Sequence, residues 1–278
     1  MTQSGKGVGA AAVEIDGVAH VFKSHGRELT VLQDATFKVA SGTFVSIVGP
    51  SGCGKSTILR MISGLLAPTA GTVRIDGETV TGLRTDVGFM FQTDALIPWR
   101  TVLENIALPL KFQGVAKAER EDRARAWIAT VGLEGFESSY PHQLSGGMRK
   151  RVSLACTLVS DPSTILMDEP FSALDVQTRN MMENELISIW ARDKKTVVFV
   201  THDLEEAIAL SDYVVVLTAR PARVKAVRAI DLPRPRDILN VRTEQAFHDL
   251  YTVLWNDMRD EVRRSYADET AKPSTGAP

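Results

Sequence analysis

Short, predominantly apolar runs alternate along the chain with stretches of helical period. Phe44–Val48, Thr164–Met167, Thr196–Val200 and Tyr213–Leu217 are the clearest of these runs. Continuous apolarity over about five residues predicts parallel strands buried on both faces. Helical patterns fall between them at Ser56–Leu66, Val176–Arg192 and Leu204–Leu210. Gly71–Gly77 and Asp86–Gln92 add two further strands. Val13–Phe22 and Val31–Val39 instead carry a rough two-residue alternation, separated by polar Lys23–Glu28, and predict half-buried strands. From Ala95 the pattern turns helical at Thr101–Gln113, Lys117–Thr130 and Leu144–Val159. The charges of the second of these, Glu119 to Arg125, are read as a solvated face. The pattern therefore predicts an α/β core interrupted by a helical insertion at about 93–160.

Beyond Arg223–Leu232, the run Pro233-Arg-Pro-Arg236 breaks regular structure, and residues 233–240 read as a linker. A long helix is expected over 241–267. Phe247, Leu250, Tyr251, Leu254, Met258 and Val262 form its apolar stripe, for packing against the main domain of 13–232. Residues 1–12 are small and polar without an apolar signal-peptide core, and 268–278 are polar. Both are expected to be flexible.

Composition narrows the class. The 278 residues are 44% hydrophobic and 24% charged, as in an ordinary globular protein. A net charge of −2 offers no basic surface, so nucleic acid is not expected as a partner. No apolar run approaches the eighteen or so residues that cross a bilayer, so any membrane role is expected through a partner. The two cysteines, Cys53 and Cys156, make no disulfide framework and suit a reducing compartment.

Chemistry enters at Gly49-Pro-Ser-Gly-Cys-Gly-Lys-Ser-Thr57, directly after the strand Phe44–Val48. The stretch fits G-x-x-x-x-G-K-[ST] on Gly49, Gly54, Lys55 and Ser56, a match that chance gives in about one chain in a hundred of this length. Glycines let the backbone curl around phosphate with its N–H groups inward, and the following helix presents its positive end. Lys55 is expected on the β/γ-phosphates and Ser56 on Mg²⁺. Pro50, Ser51, Gly52, Cys53 and Thr57 complete the loop. Cys53 is read as filling a free loop position, not as a reactive thiol.

A pair of carboxylates, Asp168 and Glu169, closes the apolar strand Ile165–Met167, at the strand end where open α/β sheets bind ligands. Asp168 suits Mg²⁺ binding, and Glu169 suits accepting a proton from an attacking water. The rival reading is an acidic start to the next segment. Leu144-Ser-Gly-Gly-Met-Arg-Lys-Arg151 reads as a second anion-binding helix N-terminus, with Ser145, Gly146 and Gly147 followed by basic residues. A dimer sharing each nucleotide between two chains would explain two such sites.

From about Val13 to Arg220 the chain resembles the ATP-binding cassette (ABC) ATPases. Gly49–Thr57 resembles Walker A, Leu144–Gly147 the signature motif and Ile165–Glu169 Walker B. Ser172-Ala-Leu-Asp175 resembles the D-loop, Gln92 the Q-loop glutamine and Thr201-His202-Asp203 the switch histidine. Phe22 stands where the family places an aromatic on adenine, and Met148 departs from the commoner Gln. The resemblance implies a P-loop NTPase fold with a mixed core sheet, an antiparallel β subdomain, a helical subdomain and, here, a C-terminal helix. It implies ATP as substrate, Mg²⁺ on Ser56, Gln92 and Asp168, and catalysis by Glu169, His202, Gln92 and Lys55. Phe22, Gly49–Thr57, Ser145, Gly146, Gly147 and Asp175 would contact nucleotide. On sequence alone His202 could equally cap a strand, and Gln92 merely end one.

Leu96-Ile-Pro-Trp99, Thr101–Ile106, Met90-Phe-Gln92 and Leu232-Pro-Arg-Pro-Arg236 are similar to the nitrate/sulfonate/taurine group of importers. That resemblance implies a second copy of the chain, membrane permease subunits and a periplasmic or lipid-anchored solute-binding protein, with the ATPase on the cytoplasmic face of the membrane. Trp99 is either a permease-facing anchor or a buried residue at a helix start. The rival functions use the same head in DNA maintenance, translation or regulation, or in a P-loop kinase. Lys55 and Ser145 are separated by no sustained heptads, which disfavours the coiled-coil DNA-maintenance class.

Overall fold

A computed structural model describes residues 11–24 and 27–270. The chain divides into two compact units, Thr85–Val197 and the segments on either side of it.

The outer unit contains two sheets. Ala11–Ser24 (β1) pairs antiparallel with Arg27–Ala40 (β2) on one side and with Ala70–Ile75 (β4) on the other, and Glu78–Thr79 (β5) adds a short edge. Alternation along β1 buries Val13, Ile15 and Val18. Phe44–Val48 (β3) belongs to a second sheet, parallel to Tyr213–Leu217 (β9), and every residue of β3 is buried. Val224–Ala229 (β10) runs antiparallel on the far side of β9, so the sheet is mixed. Thr196–Val200 (β8) follows β3 in this sheet order.

Lys55–Ile62 (α1) follows β3, and Leu204–Leu210 (α6) follows β8. Arg234 and Arg236 close the C-terminal end of α6. Arg236 is buried and donates to the carbonyls of Ile208, Ala209, Ser211, Ile230 and Leu232, and Arg234 donates to Leu210 O and to Asp212. The last carbonyls of a helix have no partner inside it, and a guanidinium satisfies several at once. Burial pushes Arg236 down to about 10, aided by repulsion from Arg234 and opposed by Asp212.

The segment 233–240 is thus not a plain linker, since its last residues enter the helical turn Ile238–Val241 (α7). The long helix begins at Gln245 and runs to Thr270 (α8). Phe247, Leu254 and Met258 bury its stripe against α6, β9 and β10, but Tyr251 faces outward and Glu261 is buried in line with the apolar residues. Of the ends expected to be flexible, residues 1–10 and 271–278 lie outside the described residues, whereas Ala11 and Ala12 are already in β1.

The inner unit pairs Val87–Met90 (β6) in parallel with Thr164–Asp168 (β7). Three helices, Val102–Phe112 (α2), Lys117–Thr130 (α3) and Gly146–Leu158 (α4), bury Ile106, Leu110, Ile128, Val152 and Ala155 in one cluster. Thr101 and Glu104 form a reciprocal cap on α2. Val176–Asp193 (α5) completes the unit.

Candidate functional site

The phosphate loop joins β3 to α1. Gly54 caps α1 at φ 117°, a left-handed conformation that glycine reaches without a Cβ clash. No side chain caps this helix and its first turn holds no acidic residue, so no side chain of that turn offsets its positive dipole end. Lys55 is buried, with Nζ donating to Gly49 O at 2.9 Å and Pro50 O at 3.2 Å. Cys53 is fully buried, and burial pushes its thiol up, against lesser opposing effects that include the Lys55 charge. Its side chain is packed inside the loop, away from solvent. Ser56 and Thr57 are half-buried on the first turn of α1.

His202 is exposed in the short turn between β8 and α6. Asp203, not His202, caps α6, accepting from Glu205 N and Glu206 N. Together with Gly49, Pro50 and Ser51, His202 lines a cavity of about 210 Å³, whose other wall is Met258, Val262 and Tyr266 of α8. Of the two readings open from sequence, the structure thus supports placement beside the phosphate loop. Phe22, on β1, is 38% exposed and meets His20 edge-on at 4.5 Å, so it is a surface aromatic and not a core one.

In the inner unit the register of β6 and β7 sets Met90 beside Met167, and the residues that follow leave the two strands side by side. Asp168 is buried, Glu169 half-buried, and Gln92 Nε2 lies 3.5 Å from Glu169 Oε2. Glu169 sits at φ 44°, in the left-handed region. A non-glycine residue there costs on the order of 1–3 kcal/mol and is characteristic of functional positions. Ser172 holds the turn through its N–H and hydroxyl, both donating to Glu169 O.

Ser145 caps α4, its hydroxyl accepting from Met148 N at 3.2 Å, with Gly146 and Gly147 opening the helix. A Cβ on Gly147 would lie 2.7 Å from Thr178 Cγ2, which explains the small residue. The basic residues after it, which the sequence grouped with an anion-binding helix start, are paired within the unit. Arg149 binds Asp94 at 2.9 Å, Lys150 binds Asp94 at 3.1 Å and Gln92 O at 2.7 Å, and Arg151 turns to Glu185. The first two lock α4 to the segment after β6, and the third ties it to α5. Asp175 caps α5 through Thr178 N at 3.0 Å, and that bond holds its carboxyl below the usual range.

Among the described residues no cluster of three or more His, Cys, Asp or Glu side chains could hold a metal alone. Mg²⁺ is commonly held by one or two protein groups together with substrate phosphates and water. Within the inner unit the strand-end carboxylate of Asp168 and the amide of Gln92 are oxygen donors of that kind, and within the outer unit so is the hydroxyl of Ser56.

Sequence reasoning left two features undetermined or unseen. Trp99 is 76% exposed, which excludes its buried reading. Its loop is pinned by the buried Asn105, which accepts from Ile97 N and donates to the carbonyls of Ile97, Arg100 and Thr101. Arg220 lies against the phosphate loop, donating to Gly52 O at 3.2 Å. No local pattern marked Asn105 or Arg220, because their partners are set by loop closure or by packing far along the chain.

Comparison with known proteins agrees with this geometry. The ABC transporter family model matches residues 32–172. An uncharacterized ABC transporter ATP-binding protein of Methanocaldococcus jannaschii, MJ0412, is 49% identical, over 91% of this chain and 93% of its own length. The aliphatic sulfonates import ATP-binding protein SsuB of Bacillus cereus is 42% identical over 86% of this chain and 92% of its own. The nitrate import ATP-binding protein NrtD of Synechocystis is also 42% identical, over 83% and 87%. Among solved structures, the dimeric, post-hydrolysis cassette MJ0796 bound to ADP and Pi superposes with a TM-score of 0.71 at 35% identity, covering 80% of this chain and all of that one. Among the described residues no helix is long and apolar enough to cross a membrane. Motifs, fold and relatives converge: the chain belongs to the ABC transporter family, in its importer branch, as an ATP-binding subunit that hydrolyses ATP with Mg²⁺.

Proposed function

We propose that this subunit powers uptake of a small organic or inorganic anion, of the sulfonate, taurine or nitrate type, through membrane permease subunits. It would sit on the cytoplasmic face of the membrane, bound there through the permease, and draw solute from a periplasmic or lipid-anchored binding protein. The observation that carries the ATPase half of this reading is the shared cavity of Gly49–Ser51 and His202 next to the uncapped start of α1. The solute half draws on the relatives named for sulfonate and nitrate import.

Two copies would act as a nucleotide sandwich, the reading that a dimeric relative supports. Lys55 and the first N–H groups of α1 bind the β- and γ-phosphates, and Phe22 stacks on the base. Ser145, Gly146 and Gly147 of the second copy close on the γ-phosphate, with Asp175 at the seam. Mg²⁺, held by Ser56, Gln92 and Asp168, would neutralise phosphate charge. Glu169 accepts the proton of the attacking water as its oxygen bonds to the γ-phosphorus. The bond from that phosphorus to the bridging oxygen breaks, and ADP and phosphate leave. His202 steadies the γ-phosphate oxygens as charge shifts. Closing on ATP and reopening after hydrolysis is the population shift passed to the permease.

The test is uptake. Cells lacking this chain should lose accumulation of one labelled anion from a panel of alkanesulfonate, taurine and nitrate, and regain it with the wild-type chain but not with Lys55→Ala. Undiminished uptake of every member of the panel would reject the anion assignment.

A further inference from the structure

The residues that match the family model end at 172, yet the phosphate loop is tied to segments well beyond that point. Gly52, at the loop apex, turns its carbonyl outward to Arg220 Nε, a contact across 168 positions. A Cβ added to Gly52 would lie 2.8 Å from Arg220 Nη2, so the guanidinium lies directly on the loop. The peptide plane makes this consequential. Holding the Gly52 carbonyl on Arg220 also fixes the N–H of Cys53 on the opposite side of the same peptide, where it donates to Pro50 O at 3.3 Å and closes the turn of the loop. In a phosphate loop the inward N–H groups are the binding surface.

Arg220 is itself held in place. It belongs to the turn between β9 and β10, closed by Thr218 N to Arg223 O at 3.0 Å and by Arg223 N to Thr218 Oγ1 at 3.0 Å. Ala222 exchanges backbone bonds with Val31 and Gln33 of β2. The residue before Arg220 is fixed from the other side. Ala219 N donates to Glu261 Oε2 at 3.1 Å, and Lys225 Nζ binds Glu261 Oε1 at 2.8 Å. Glu261 is only 3% exposed, within the packed face of α8. A carboxylate buried among apolar residues destabilises unless it is fully partnered, and its partners here are Ala219 in the turn that carries Arg220, Lys225 at the start of β10 and Arg264 of α8. The same helix supplies the cavity wall that faces Gly49–Ser51 and His202.

We propose that Arg220 is a positioning residue for the phosphate loop and that Glu261 sets its place, so that the C-terminal helix α8 tunes ATP affinity. The proposal rests on the reading that Gly49–Thr57 binds ATP.

The experiment titrates Mg-ATP into the full chain and measures steady-state hydrolysis for Arg220→Ala, Arg220→Lys, Glu261→Gln and the double variant Arg220→Ala/Glu261→Gln. Losing a charged hydrogen bond to the loop should weaken ATP binding about tenfold in Arg220→Ala, with KM rising in parallel and kcat within about twofold. Arg220→Lys should recover part of the loss, since a point charge reaches the carbonyl without the flat fork. Glu261→Gln should weaken binding roughly threefold and add nothing to Arg220→Ala, because both act through one link. Unchanged affinity in Arg220→Ala, or independent and multiplying effects in the double variant, would overturn the proposal. Should Glu261→Gln fail to fold, Lys225→Met loosens the same turn from outside and should shift affinity in the same direction. Lys55→Ala separates the two readings. Lost binding there with normal binding in Arg220→Ala rejects the role of Arg220 alone, whereas normal binding in Lys55→Ala rejects the loop reading and this proposal with it.

Discussion

At the scale of single residues, the site depends on a few side chains held in conformations that the backbone alone does not favour. Glu169 is the clearest, a carboxylate in the left-handed region at the end of a fully buried strand. If it is the base, Glu169→Gln keeps shape and loses proton affinity. ATP binding should survive while turnover falls by roughly a hundredfold to ten-thousandfold. Single-turnover hydrolysis checks this, and a rate near wild type would remove Glu169 from that role. Trp99 is displayed on a loop whose backbone, on either side of it, Asn105 holds with four hydrogen bonds. Exposed Trp is typical of interface anchors. Trp99→Ala should leave the ATPase of the isolated subunit within about twofold but weaken co-purification with permease subunits by tenfold or more. Equal recovery of permease with both proteins would sink the assignment.

At the scale of elements, α8 is the informative one. Its stripe was legible from the spacing of Phe247, Leu254 and Met258, but the buried charge in that stripe was not. Burial alone would raise the carboxyl of Glu261. Lys225, the Ala219 N–H and Arg264 outweigh it and hold the group below the ordinary carboxylate range. A carboxyl lowered by folding contributes stability that is complete above its unfolded value, near about 4.3, and is lost as pH falls through the folded one. Docking of α8 should therefore be unchanged from about pH 7 to 5 and weaken below about pH 4. Hydrogen exchange of the amides of 254–266 across that range measures it. Glu261→Gln should flatten the acid dependence, and an identical acid profile in the variant would show that another group governs it.

At the scale of the whole molecule, the motifs divide between two units of one chain, and the proposed sandwich needs a second chain to complete each nucleotide site. Mixing inactive Lys55→Ala with inactive Ser145→Ala tests this directly. Half of the resulting dimers would carry one good site of two, restoring about a quarter of wild-type sites. No recovery on mixing, with mixed dimers verified to form, would place Ser145 and Lys55 in the same site of one chain.

The sequence by itself determined the α/β alternation, the phosphate loop, the strand-end carboxylates and the family, because each is a local matter. Buried parallel strands need continuous apolarity, a phosphate loop needs glycines at fixed spacing, and helix periods show in windows of a dozen residues. Lys117–Thr130 and Leu204–Leu210 could be bounded to the residue for that reason. Only the tertiary structure decided where the charges went. Arg149 and Lys150 looked like an anion site and instead bind Asp94. Arg234 and Arg236 looked like a linker and instead close α6. Arg220 and Glu261 carried no local signal at all, yet they join the C-terminal helix to the phosphate loop. A long charged side chain carries no periodicity that names its partner. The partner is fixed by which surfaces the packed core brings together.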